Sequence, residues 1–120
     1  MRQFKRSDRL AEQILRTIST VMETELLEWG QGMVTFTRVK MTDKLRSAEV
    51  YFSFMGTEES RETLAGYLFA QRGRIRSRVG RHLHIRHIPE LTFKFDPSIE
   101  ESIRLESLFN KIKDERDSDQ

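Results

Sequence analysis

The 120-residue chain contains no cysteine. That absence removes disulfides, thiolate zinc sites and thiol nucleophiles together, and leaves packing and hydrogen bonding to hold the fold. Only two prolines and six glycines are present, and neither an inner linker nor an internal repeat is visible. No apolar run approaches the roughly 18 residues of a membrane span, and the opening M-R-Q-F-K-R-S-D-R-L lacks the apolar stretch of a signal peptide. The expected setting is the cytoplasm. A nuclease would want clustered acids for magnesium where the cations lie, and a hydrolase or nucleotide-binding protein would want G-x-S-x-G or a P-loop. None of these is found, so no enzyme, cofactor or small-molecule substrate is expected.

What the chain has is charge, 33% against 37% hydrophobic residues, enough for one domain with a modest core. The formal net charge is only +2, but it is segregated. Residues 1–9 hold four cations and one anion, and residues 72–94 hold seven cations and one anion, Glu90. The remaining segments are acidic. Residues 72–81 read R-G-R-I-R-S-R-V-G-R, a concentration that suits a polyanionic partner.

Periodicity divides the chain into elements. Leu10, Ile14, Ile18, Val21, Met22 and Leu26 recur at three- and four-residue spacing, which predicts a helix over about 5–28 with Ser7 or Asp8 as its cap. W-G-Q-G then breaks it. M-V-T-F-T-R-V-K-M predicts a strand in which the alternation changes phase between Phe36 and Val39, as a bulge would require. After a turn at Thr42 to Leu45, Ala48, Val50, Phe52 and Phe54 mark the clearest strand. Gly56 and Thr57 open a helix with Leu64 and Leu68 inward, and a kink is expected over Gln71, Arg72 and Gly73, because glycine costs about 1 kcal/mol relative to alanine inside a helix. Leu91, Phe93 and Phe95 form a third strand, ended by Asp96 and Pro97. Ser98 and Glu101 make a capping box for a last helix, and residues 114–120 read as a disordered charged tail. The strand phenylalanines are expected in the core rather than stacked on bases. The fold class is α+β: an α-β-β-α-kink-α-β order with a C-terminal helix, and a three-stranded sheet covered by helices on one face.

At about 100° per residue, Ile75, Val79 and Leu83 share one helix face and Arg74, Arg78 and Arg81 lie almost opposite. Those three arginines are therefore expected in solvent. Arg76 sits at the margin, where its stem packs and its head reaches out, and Arg72 precedes the glycine. With Glu90 the only nearby acid, nothing relieves the repulsion between them. Guanidinium forks match phosphate oxygens and stack on bases, so nucleic acid, RNA first, is the expected partner rather than a merely solvated helix face. A general KH-like RNA-binding module and a protein-interaction domain are the alternatives. Arg86 and Lys94 extend the basic region, and Lys5, Arg6 and Arg9 can add an N-terminal contact. His82, His84 and His87 spell H-x-H-x-x-H, but in a helix the first two diverge by about 200° and no cysteine is available, so no metal is expected.

The element order resembles the KH family of RNA-binding folds, although no two glycines stand three apart and the usual GxxG clamp is missing. M-T-D-K-L-R-S-A-E-V-Y-F-S-F-M-G, G-R-I-R-S-R-V-G-R-H-L-H-I-R-H-I-P-E-L-T-F-K-F-D and S-I-E-E-S-I-R-L resemble the bacterial ribosome-binding factor A family over about residues 5–112. The most specific piece is I-R-x-x-P-E-L-x-F-x-x-D-x-S-I, carried by Ile85, Arg86, Pro89, Glu90, Leu91, Phe93, Asp96, Ser98 and Ile99. Gln71 stands where the family's kink begins with alanine, and Arg74 stands where an apolar residue often follows the glycine. The resemblance implies a type II KH-like domain over residues 1–113 in which an Ala-x-Gly kink replaces the GxxG loop. It also implies a monomeric, non-enzymatic factor that binds the immature 30S subunit, helps mature the 5' end and decoding region of 16S rRNA, and is associated with cold adaptation. On that reading, reversing the charge of Arg74, Arg78 and Arg81 is expected to abolish subunit binding and leave the fold intact.

Overall fold

A computed structural model describes residues 2–30 and 32–118; the side chains of residues 2–5, 43, 117 and 118 lie outside the described set. The order is α1 (Arg2–Trp29), β1 (Met33–Thr42), a short 3-10 turn (Asp43–Leu45), β2 (Ser47–Met55), α2 (Glu58–Ala70), α3 (Arg72–Gly80), β3 (Glu90–Phe95) and α4 (Ser98–Ser118). The three strands form one sheet in the order β1-β2-β3, antiparallel between β1 and β2 and parallel between β2 and β3. This is the α+β arrangement expected from the sequence.

The register places Val34, Phe36, Val39 and Met41 beside Phe54, Phe52, Val50 and Ala48, and Leu91, Phe93 and Phe95 beside Ala48, Val50 and Phe52. All of these side chains share one sheet face. The phase change in β1 is resolved by an extra residue, Thr37, between the pairs Phe36/Phe52 and Arg38/Tyr51. Against this face α1 lays Leu10, Ile14, Ile18, Met22 and Leu26, while α2 and α3 bring Leu64, Leu68, Ile75 and Val79, all buried. Burial of each such side chain contributes about 1.5–3 kcal/mol relative to exposure. The opposite sheet face is left open.

Two glycines are required by geometry. Gly30 takes φ +67° and ends α1, a backbone conformation glycine adopts without steric cost. At Gly32 a Cβ would stand 2.6 Å from the Phe54 ring and 2.7 Å from the Met55 carbonyl oxygen, so a side chain there would push β1 off its neighbour.

Three expectations change, and a fourth, the kink, narrows to one residue of its expected stretch. Helix α1 begins at Arg2, which puts Ser7 and Asp8 inside it rather than at its cap. The break between α2 and α3 falls on Gln71, at φ −97° and ψ 6°, and Gly73 lies within α3 with no atom within 4 Å of a would-be Cβ. Helix α4 is not capped by Ser98: the Asp96 carboxylate accepts the Ser98 backbone N–H at 3.0 Å and also the Ser98 hydroxyl. That helix runs on to Ser118, with Arg116 in its last turn where a cation meets the negative end of the helix dipole, although the tail was expected to be disordered from residue 114. Asp119 and Gln120 lie outside the described residues. Every described side chain of α4 is exposed, including Leu105, Leu108, Phe109 and Ile112. Only its first turns approach the sheet, where Ile99 and Ile103 border a cleft with Ser53 and Phe54 of β2, and the Asp96 bonds to Ser98 fix its start. Asp96 itself is buried, and it also accepts a 2.8 Å hydrogen bond from Thr37 and lies 3.9 Å from Arg38. The Ser98 hydroxyl and N–H, then Thr37, outweigh its burial and hold its carboxyl below the ordinary range.

Candidate nucleic-acid interface

The arginines of α3 divide into distinct environments. Ile75, Val79 and Leu83 are buried as their spacing required, which turns the remaining faces of α3 toward α1, solvent and the loop before β3. Arg78 meets Glu25 of α1 at 2.8 Å and donates a second hydrogen bond to the Val21 carbonyl at 2.6 Å. Arg74 donates to the other Glu25 oxygen, to the Gln71 side-chain oxygen at 2.7 Å and to the Tyr67 hydroxyl at 3.2 Å. Tyr67 also donates to Glu25. One carboxylate thus ties α1 to α2 and α3. Burial pushes the Glu25 carboxyl up, but the Arg74 and Tyr67 hydrogen bonds and the two guanidinium charges outweigh it, and the net direction is down. The hydrogen bond to Glu25 in turn raises Arg74. The expectation that nothing relieves the arginine repulsion is therefore corrected. A glutamate 49 residues upstream of Arg74 in the sequence does so.

The other predicted contacts differ in their partners. Arg76 donates to the carbonyls of Ile88 and Pro89, both at 3.1 Å from Nε, and so staples the loop before β3 to α3. Arg72 stacks 4.0 Å over the exposed Phe69 ring and donates to the Phe69 carbonyl. Lys94, on the open sheet face, meets Glu49 at 3.0 Å, and Glu49 also accepts from Tyr51. Among the described residues Arg6, Arg9, Arg81 and Arg86 pair with no carboxylate, and all four are exposed. Lys5 lies in α1, and its side chain is outside the described set. The three histidines belong to no group of potential metal ligands among the described residues.

Two cations that the sequence did not single out join the unpaired set. Lys44 and Leu45 both take positive φ, 52° and 67°. That left-handed pair turns Leu45 toward the core, where it is partly buried, and leaves Lys44 and Arg46 exposed on either side. They border a groove of about 1150 Å³ whose other walls include Arg6, Arg9 and Arg86. Three elements distant in sequence meet here: the first turns of α1, the β1–β2 turn and the loop before β3. Lys44 and Arg46 were overlooked because a turn lysine and a turn arginine carry no periodic signal; only the fold brings them beside the N-terminal cations.

The family model for ribosome-binding factor A matches residues 6–109. Over 116 residues the chain is 36% identical to ribosome-binding factor A of Geobacter sulfurreducens, covering 97% of this chain and 98% of that protein. It is 39% identical over 115 residues to the Pelobacter propionicus protein of the same name, covering 96% and 94%. The fold is also similar to a homology model of Thermus thermophilus ribosome-binding factor A fitted into a cryo-EM map of a 30S complex with that protein, with a TM-score of 0.63, 21% identity, and coverage of 76% and 96%. By its matching family model and its identity to these full-length relatives, the chain belongs to the ribosome-binding factor A family.

Proposed function

We propose that this protein is a non-enzymatic assembly factor that binds the immature 30S subunit as a monomer, through 16S rRNA, and assists maturation of the 5' end and decoding region. The observation that carries this reading is the coincidence of family membership with a segregated basic surface whose exposed cations Arg6, Arg9, Arg81 and Arg86 pair with no carboxylate among the described residues. Phosphate contacts supply most of the affinity in such an interface, and unpaired guanidinium groups make them without first giving up a carboxylate. The KH-like α-β-β-α-α-β order gives a rigid scaffold for those groups. Of the predicted contacts, Arg6, Arg9, Arg81 and Arg86 are the ones free to meet RNA directly. Arg72, Arg74, Arg76, Arg78 and Lys94 would exchange or share existing partners. Occupancy would favour an rRNA conformation that mature subunits lack.

The test is sedimentation of the purified protein with precursor and with mature small subunits over a range of salt. Preferential association with precursors is expected, with log affinity falling by about 0.7 to 0.9 per neutralised phosphate for each tenfold rise in salt. Equal association with both particles, or none, would sink the proposal.

A further inference from the structure

The groove at the N-terminal end of α1 is more than a cluster of like charges. On α1, Arg6, Arg9, Leu10 and Gln13 fall within an arc of about 100°, and Asp8 and Glu12 lie on the far side. The helix therefore presents cations to the groove and keeps its acids out of it. The β1–β2 turn supplies Lys44 and Arg46 by its left-handed pair, a conformation costing about 1–2 kcal/mol per non-glycine residue, which the inward packing of Leu45 helps hold. The third wall carries Arg86 and His87. It is fixed by the Arg76 hydrogen bonds to Ile88 and Pro89 and by the close approach of Ile88 to Gly80, where a Cβ would stand 2.9 Å from the Ile88 side chain. Glu90 is the one acid among the described lining residues.

Between these charged walls the floor is apolar. Leu10 is buried, and Leu45, Ile85 and Ile88 are partly buried, all of them lining the groove. A double helix offers phosphates but keeps its base faces stacked inside, so it would touch the rim and leave the floor in water. An unpaired strand offers phosphates and bare base faces together, and guanidinium planes add stacking surfaces beside the floor. The geometry points to this groove as a clamp for an unpaired RNA segment, with backbone phosphates held by Arg6, Arg9, Lys44, Arg46 and Arg86 and bases resting on the leucine and isoleucine floor. The site rests on the RNA-binding reading above and deepens it: the strongest grip lies at this end of α1, away from the Glu25-bound face of α3.

The test measures binding of a short fluorescent oligouridine and of an RNA duplex with the same number of phosphates, using the full-length protein. The wild type should favour the oligouridine. Arg46→Glu with Arg86→Glu should weaken oligouridine binding by about 100-fold, and because both groups are exposed and unpaired the double variant should melt with the wild type. Arg104→Glu, an exposed α4 cation outside the groove, should change oligouridine affinity by less than about twofold. Equal or tighter binding of the duplex, or wild-type oligouridine binding by the double variant, would overturn the clamp. Sedimentation separates the two readings: a wild type that sediments with precursor subunits while the groove variant still binds oligouridine refutes the groove alone. A wild type that binds oligouridine but fails to sediment with precursor subunits refutes the assembly function and leaves the groove standing.

Discussion

Arg78 and Arg86 are eight positions apart in one basic segment, yet they occupy opposite electrostatic situations. Arg78 is locked between the Glu25 carboxylate and the Val21 carbonyl of α1, while Arg86 stands exposed with no carboxylate beside it. The first kind of arginine spends its hydrogen-bonding fork on holding α3 against α1. The second keeps its fork for a partner. A count of cations along a sequence measures the sum of both kinds, and only the tertiary pairing tells which can be used.

The sharpest way to break this contrast is to reverse charge on each side of it. Arg74→Glu with Arg78→Glu would set two new carboxylates beside Glu25. The site is partly exposed, with Arg74 at 43% and Arg78 at 34%, so solvent screening keeps the penalty below that of a fully buried pair, at about 2–3 kcal/mol. The melting temperature should fall by about 10 °C. Arg6→Glu with Arg86→Glu should leave it unchanged. Thermal denaturation of both pairs decides the matter, and equal melting would show that the Glu25 contacts hold nothing. The sequence reading, which placed Arg74 and Arg78 in free solvent, led to the opposite expectation of an intact fold.

Glu25→Gln tests the same contrast from the carboxylate side, with a smaller effect. The folded protein lowers the Glu25 carboxyl below its ordinary value of 4.5, so its contribution to stability is fully present above that value. It is lost as the pH falls through the lowered value in the folded state. At neutral pH the glutamine variant should be less stable by about 1 kcal/mol. In acid the two proteins should converge, and a constant gap down to low pH in urea titrations would disprove the assignment. If Arg74 and Arg78 contact RNA at all, releasing them should also raise affinity several-fold.

Local pattern carried most of the fold. The 3- and 4-residue spacing of α1, the alternation of β2 and the phase change answered by the Thr37 bulge each depend on near neighbours in the chain, and each was legible. The Glu25 cluster was not, because its members lie on three helices and nothing local marks Glu25 apart from Glu23 or Glu28. The kink was legible only as a stretch. Glycine propensity pointed to Gly73, but the break falls on Gln71, whose side chain then receives the Arg74 guanidinium. The two positions at which this chain departs from the family's kink thus bond to each other. As for the groove, the α1 and Arg86 cations were visible and Lys44 and Arg46 were not, since only the antiparallel turn brings them there.

A milder probe acts on α3 itself. Gly73 adopts ordinary helical geometry and a Cβ would meet nothing within 4 Å, so Gly73→Ala should stabilise the protein by about 0.5–1 kcal/mol. Destabilisation in a urea melt would mean that the Arg74 and Arg78 contacts depend on a glycine backbone, and the pairing would then be a consequence of the kink instead of its support.

The smallest effect is expected at Lys94. By composition it belongs with the basic segment, but it sits on the open sheet face with Glu49 beside it at 3.0 Å, and Glu49 is held in turn by Tyr51. The hydrogen bond to Glu49 raises the lysine, and that same bond leads the lowering of the glutamate. A cation so matched presents little net field to a phosphate. Lys94→Ala should therefore change affinity for precursor subunits by less than about twofold, where the loss of Arg86, an unmatched neighbour in sequence, should cost about tenfold. If the two substitutions weakened sedimentation equally, internal pairing would not decide which cations reach RNA, and the division between locked and free arginines would lose its functional meaning.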